Sequence, residues 1–259
     1  MTDLDLILEA AREAGALAVS AREGGLKIWS KDGGSPVTDA DLAVDALLKE
    51  RLEAARPDYG WLSEETADDP ARLTTTRQFV VDPIDGTAAY LKGKPWFAVS
   101  IAVVENGRPI AGVVYAPALD ELYAATADGP ATLNGAPVAP GSATTLDDAA
   151  MLGDAKMFVH PSWPTPWPPM RVESRNSIAY RLCLVADGRF DAAVALSSKN
   201  EWDLAAADLI CERAGAVLTD HLGRAFSYNR AIPLLPSVVC ANKALAPLIL
   251  SRVGHIDLP

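Results

Sequence analysis

The sequence predicts a layered α/β fold with two sheets. Helical periodicity dominates the first sixty residues, and the middle of the chain is a succession of β-branched runs joined by tight turns. The last hundred residues alternate helix and strand patterns. At 259 residues, 49% apolar and 22% charged, the chain is long enough to bury the core that such layers require.

Taken in order, residues 4–23 (LDLILEAAREAGALAVSARE) read as an amphipathic helix closed by Gly24 and Gly25. A turn-rich connector follows over 30–41, with Pro36 marking an extended step. Thr38 or Asp39 is placed to cap a second helix over 39–55, which ends before Pro57. GWLSEET (60–66) precedes a polar loop and the strand QFVVD (78–82). From Trp96, three apolar runs are joined by Asn106-Gly107, a hairpin signal, and by Pro117 to Asp120; another turn-rich β segment covers 129–138. Small polar residues over 139–150 suggest a boundary near 140–146, which divides the chain into domains 1–142 and 143–259. Beyond it come a strand in 149–158, an irregular Pro-rich stretch at 161–170, a helix over 177–188 and a strand over 190–196. A helix over 203–215, a strand over 216–220 and a final strand–helix pair complete the chain.

The formal net charge is −11, from 23 basic and 34 acidic residues, with the basic ones thinly spread. That argues against a nucleic-acid polymer as partner; a phosphorylated small molecule would need positive charge supplied locally, for which a metal ion is the obvious source. Cys183, Cys211 and Cys240 are odd in number and sit in apolar contexts without paired spacing, so they read as structural thiols of a reducing compartment. The start, Met1 to Asp5, has no basic n-region, and no apolar run reaches the length of a membrane span. A cytoplasmic protein with no membrane partner is expected.

The most informative stretch is Asp82-Pro83-Ile84-Asp85-Gly86-Thr87. Pro83 fixes φ and removes a donor, so the chain is expected to leave its strand sharply there, letting both carboxylates and the Ile84 carbonyl face one point. Hard divalent cations take oxygen ligands of this kind, and Gly86 permits close backbone approach. The bland alternative is a capped turn whose aspartates accept backbone hydrogen bonds. Adjacent Glu64 and Glu65 are unfavourable unless solvated or metal-bound. Asp39 and Asp41 flank one helix start and Asp203 opens another, where capping is a fair alternative. His160, His221 and His255 are not placed for catalysis and read as surface or satisfied groups.

With these residues in hand, the chain resembles the inositol monophosphatase family of metal-dependent, lithium-sensitive phosphatases. The resemblance is carried by VTDAD (37–41), LSEE (62–65), DPIDGT (82–87) and EWDLAAADLICERAGAVLTD (201–220), in the family's order and approximate spacing. It implies a layered α/β/α/β/α sandwich, a homodimer and two or three Mg²⁺ ions acting on a small phosphate monoester. By the same resemblance Glu64, Asp82, the Ile84 carbonyl, Asp85 and Asp203 are the metal ligands, with Glu65 supporting and Glu64 counted among the catalytic groups. Asp41 and Thr87 resemble the pair that activates water. Gly86, Thr87, Ser177 and Asp203 lie where the family holds substrate.

Two departures bear on the substrate. Ala88-Ala89-Tyr90 replaces the family's common Thr-Asn-Phe. Ala195 and Leu196 stand where inositol-specific members carry a glutamate that contacts ring hydroxyls, and an apolar residue cannot recognise a polyol that way. The segment DHLGRAFSYN (220–229) resembles the 3′(2′),5′-bisphosphate nucleotidase branch. A nucleotide such as adenosine 3′,5′-bisphosphate is therefore preferred over inositol 1-phosphate or another sugar phosphate. Trp163 and Trp167 are candidates to stack on a base, or to form a surface loop or dimer contact. A metal- and phosphate-binding regulator without turnover is the alternative of another class, and retention of both Asp41 and Thr87 speaks against it.

Overall fold

The computed structural model describes residues 1–30 and 36–258, so residues 31–35 of the expected connector lie outside the described residues. Seven α-helices occur among them: α1 Asp3–Gly24, α2 Asp39–Ala55, α3 Thr87–Leu91, α4 Ala155–Phe158, α5 Ile178–Ala186, α6 Glu201–Ala214 and α7 Leu245–Val253. A seven-stranded sheet runs, in spatial order, through Gly60–Ser63, Arg77–Asp85, Ala98–Glu105, Arg108–Ala116, Glu121–Thr126, Thr132–Leu133 and Ala136–Pro137. Its first pair is parallel and the others antiparallel. A five-stranded mixed sheet has the order Arg171–Glu173, Ala150–Leu152, Ala192–Ala195, Val238–Ala241, Val217–Thr219.

Strand alternation sorts the core into layers. On the large sheet Phe79, Val81, Ile101, Val103 and Val113 face α1 and α2, meeting Leu6, Ile7, Val44, Leu48 and Leu52. Their neighbours Val80, Ala102, Val104 and Val114 face the other way, onto α5 and α6. The far side of those helices covers Leu152, Ala193, Leu218 and Cys240 of the small sheet. The outer face of that sheet, through Met151, Ala192, Val194 and Val239, is closed by Leu245, Ile249 and Val253 of α7. The result is the α/β/α/β/α sandwich. Close packing between layers shows at Gly112, where an added Cβ would come within 2.9 Å of the Ala206 carbonyl oxygen on α6.

Most expected elements are present, including the hairpin at Asn106 and Gly107, both of which take positive φ. Three expectations are corrected. Pro83 does not end its strand: pairing continues to Asp85, with a register shift between Asp82 and Asp85 that leaves one residue extra, and the missing N–H of Pro83 falls inside this bulge. Second, α6 begins at Glu201, capped from Asn200, so Asp203 is the third helical residue and not the cap. Third, 149–158 splits into a three-residue strand and the short α4, capped by Asp154. The three cysteines are buried and free, as structural thiols should be.

Candidate metal and phosphate site

The bulged strand carries Asp82 and Asp85 to its end, where Gly86 turns the chain into α3 with φ 93° and ψ 36°. This left-handed conformation suits glycine, and a Cβ there would lie 2.8 Å from the Ser177 amide nitrogen. Asp203, one turn into α6, reaches the same point from the middle layer. Oxygens of Asp82, Asp85 and Asp203 all lie within 4.8 Å of one another. Among the described residues none of the three is salt-bridged to Lys or Arg.

Each carboxylate is held in place. Asp82 Oδ1 accepts from the Ile84 amide at 3.0 Å. Asp85 accepts from Ser177 Oγ (2.6 Å) and from the amides of Ile178 (3.1 Å) and Ala179 (2.7 Å). Asp203 Oδ2 accepts from the Asn200 amide at 2.7 Å. Burial pushes all three carboxyls upward. Asp82 rises well above its ordinary value, helped by the charges of Glu64, Asp85 and Asp203. Asp85 reaches about 6, its hydrogen bonds from Ser177 and the helix amides opposing the effect of burial. Asp203 reaches about 8, through burial and then the charge of Asp85. Convergent, mutually repelling oxygen donors with no salt-bridge partner among the described residues fit a hard divalent cation.

Asp41 stands beside this trio at the start of α2. Thr38 and Asp41 form a reciprocal cap: the Thr38 amide (2.8 Å) and hydroxyl (2.5 Å) both donate to Asp41 Oδ2. The other oxygen faces Thr87, whose hydroxyl lies 3.1 Å from Asp41 Oδ1 and 3.2 Å from the Ile84 carbonyl oxygen. Burial, above all, raises the Asp41 carboxyl against the lowering effect of these hydrogen bonds. Glu64 and Glu65 follow the strand Gly60–Ser63, and the charge of Glu64 is felt by Asp41, Asp82 and Asp203. Ser177, expected beside substrate, is fully buried; its hydroxyl donates to Asp85, accepts from the Tyr180 amide at 3.0 Å and caps α5.

Two residues that sequence reasoning passed over adjoin the trio. Arg181, one turn after Ser177 on α5, and Lys199, just before the cap of α6, line a cavity of about 330 Å³ with Asp154, Ala195, Leu196 and Ser197. Arg181 feels the charge of Asp85, and Lys199 feels those of Asp203 and Asp85; burial lowers the pKa of each cation. Arg181 Nε donates to the Arg175 carbonyl, while Lys199 donates to the Ser197 hydroxyl (2.8 Å) and to the carbonyls of Ser197 and Ser198. Neither is salt-bridged to a carboxylate among the described residues. Their only early signal was position near a helix start, Lys199 directly before the α6 cap and Arg181 one turn after the α5 cap. Of the two tryptophans, Trp167 is a core residue, packed edge-on to Phe158 at 5.0 Å, and is not available to a ligand. Trp163 is half-buried and lines a second cavity. His221 is satisfied by Ser237 and the Ile256 carbonyl, while His160 and His255 are exposed.

Comparison with known proteins identifies the family. The model of the inositol monophosphatase family matches residues 3–257. A histidinol-phosphatase of Chlorobaculum parvum is 32% identical, over 98% of this chain and 97% of its own. The 3′(2′),5′-bisphosphate nucleotidase CysQ of Escherichia coli is 31% identical, over 87% and 94%. An inositol-1-monophosphatase of Rhizobium meliloti is 31% identical, over 85% and 84%. Among solved structures, the extragenic suppressor protein suhB of Bartonella henselae superposes with a TM-score of 0.85 at 26% identity, covering 97% of this chain and 98% of that one. The chain belongs to the inositol monophosphatase family of phosphoric monoester hydrolases.

Proposed function

We propose that the protein is a Mg²⁺-dependent phosphatase that removes one phosphate from a nucleoside 3′,5′-bisphosphate. The observation that carries the catalytic reading is the meeting of the Asp82, Asp85 and Asp203 trio with the hydrogen-bonded Asp41–Thr87 pair. Divalent cations held there, with Glu64 and the Ile84 carbonyl as further donors, would supply charge neutralisation and acidify water. The rest is done by the chain. Thr87 Oγ would take a proton from the attacking water as its own hydroxyl proton passes to Asp41 Oδ1, the carboxylate oxygen it already donates to. The water oxygen forms its bond to phosphorus as the opposite phosphorus–oxygen bond breaks, and the leaving alkoxide takes a proton to become the alcohol. Backbone N–H groups of Gly86 and Thr87, at the start of α3, would hold phosphate oxygens. Asp85 is itself kept in position by Ser177.

The nucleotide reading is supported by the cavity beside the trio. Its wall of Ala195 and Leu196 offers a polyol no hydrogen bond, whereas Arg181 and Lys199 suit a second phosphate. The ammonium of histidinol phosphate would meet two cations there. Phosphate release measured with Mg²⁺ from adenosine 3′,5′-bisphosphate, inositol 1-phosphate and histidinol phosphate tests this. The nucleotide is expected to have the highest kcat/KM by at least about tenfold, the effect of one charge-assisted contact. Equal or greater kcat/KM for either competitor would overturn the substrate reading, and release from none would overturn the reaction.

A further inference from the structure

A second cavity continues the first. Its volume is about 380 Å³, and its walls include Met157, Trp163, Leu196, His255 and Ile256, with Asp154, Lys156 and Ser162 as polar neighbours. Asp154, Met157 and Leu196 also line the Arg181–Lys199 cavity, so the two share a wall. Along this path a ligand leaving the carboxylate trio meets two cations first and then an aromatic, largely apolar hollow.

The aromatic end is built rigidly. Trp163 Nε1 donates to the Met157 carbonyl at 2.6 Å, which fixes the indole on the turn after α4. Behind it stands Trp167, edge-on with ring centroids 5.5 Å apart and an interplanar angle of 85°. His255 approaches from the C-terminal segment at 6.3 Å and 76°. A ring held this way loses little freedom when a flat ligand packs on it. Trp163, Met157, Leu196 and Ile256 pack on the outer edge of the core that Trp167 fills, and the same four side chains line the cavity.

We propose that the Trp163 cavity binds the heteroaromatic base of the substrate nucleotide, which makes Trp163 a specificity-determining residue and His255 its flanking wall. The inference rests on the nucleotide reading above. The order of chemistry along the path matches such a molecule: reacting phosphate at the trio, second phosphate at Arg181 and Lys199, base at Trp163. Lys156 and Asp154 offer a donor and an acceptor at the rim, as the edge of a nitrogen heterocycle requires.

The experiment compares adenosine 3′,5′-bisphosphate with an abasic counterpart carrying both phosphates on the same sugar, in the intact protein and in the Trp163→Leu and His255→Ala variants. Binding of adenosine 5′-monophosphate is measured alongside by calorimetry. The intact protein is expected to show a KM roughly tenfold lower for the nucleotide than for the abasic compound, the worth of one stacked base. Trp163→Leu should close that gap and weaken monophosphate binding by a similar factor. His255→Ala, at an exposed position where folding is not at stake, should narrow the gap. Equal KM values in the intact protein, or a gap kept by both variants, would overturn the inference while leaving the reaction standing. If neither compound is hydrolysed, the reaction fails, and calorimetry alone judges the cavity: binding lost in Trp163→Leu supports it, binding unchanged in both variants overturns it.

Discussion

At the scale of single residues, the carboxylates differ in their tasks, and substitutions should separate them. Asp85→Asn keeps the shape but removes a charged donor, so Mg²⁺ affinity and turnover should both collapse, by about 10- to 100-fold or more in affinity; titration calorimetry and phosphate release measure the two. Asp41→Asn should lower kcat by about 10²- to 10⁴-fold while leaving Mg²⁺ affinity within a few-fold, because the proposed mechanism has this residue serve the water and not the cation. Protonation gives a third expectation. In the metal-free protein Asp85 titrates near 6 and Asp203 near 8, both above the ordinary 3.8. The folded state therefore binds these protons more tightly than the unfolded chain. Their contribution to stability is full below pH 4 and is lost as pH rises through 6 to 8. A cation must displace the same protons, so Mg²⁺ affinity should climb across that window, and a flat calorimetric profile between pH 6 and 8 would contradict it. The carboxylates were legible in the sequence because Asp82 and Asp85 lie three apart in one segment. Arg181 and Lys199 were not, since each acquires its meaning only when α5 and the loop before α6 converge.

At the scale of elements, the site depends on how helices start. Thr38, Ser177 and Asn200 cap three helices, and each capped turn also fixes an acid: Asp41, Asp85 and Asp203 respectively. Capping was expected as an alternative to function for Asp41 and Asp203. In the folded chain the two coincide, since the third helical residue of α2 and of α6 both closes the cap and points at the site. Sequence spacing could not distinguish a cap from a third residue, because both favour aspartate near a helix start. Thr38→Ala should therefore cost about 1 kcal/mol in denaturant unfolding and, unlike an ordinary cap mutant, reduce kcat as well. Gly112→Val is an opposite case, remote from the chemistry. Its side chain would drive α6 away from the large sheet, so both melting temperature and Mg²⁺ affinity should fall, the latter because α6 carries Asp203.

At the scale of the whole molecule, five layers are tied together by α5 and α6, which are shared between both sheets. Their sharing was not legible from the order of elements, which gives neighbours along the chain but not which sheet face each helix covers. The trio draws on the large sheet and on this middle layer, so a bound cation links them. Saturating Mg²⁺ at about 100 times its Kd should add about 2.7 kcal/mol, which for a chain of this size is a rise in Tm of roughly 5–10 °C; calorimetry with and without the ion measures it. No helix among the described residues is long and apolar enough to cross a membrane.

The extra residue in the bulged strand has a consequence of parity. In an unbroken strand, residues three apart point to opposite faces, so Asp82 and Asp85 would be separated by the sheet itself. Here Asp82 lies opposite Ser100 and Asp85 opposite Ala98, two positions of like parity on the partner strand. An odd spacing has been converted to an even one, and Pro83 occupies the stretch where no ladder bond is asked of it. Without the bulge, regular pairing of all residues would set Asp85 opposite Phe97 and send it towards the layer of α1 and α2. The strand would be a better strand, and the cation would have lost a ligand.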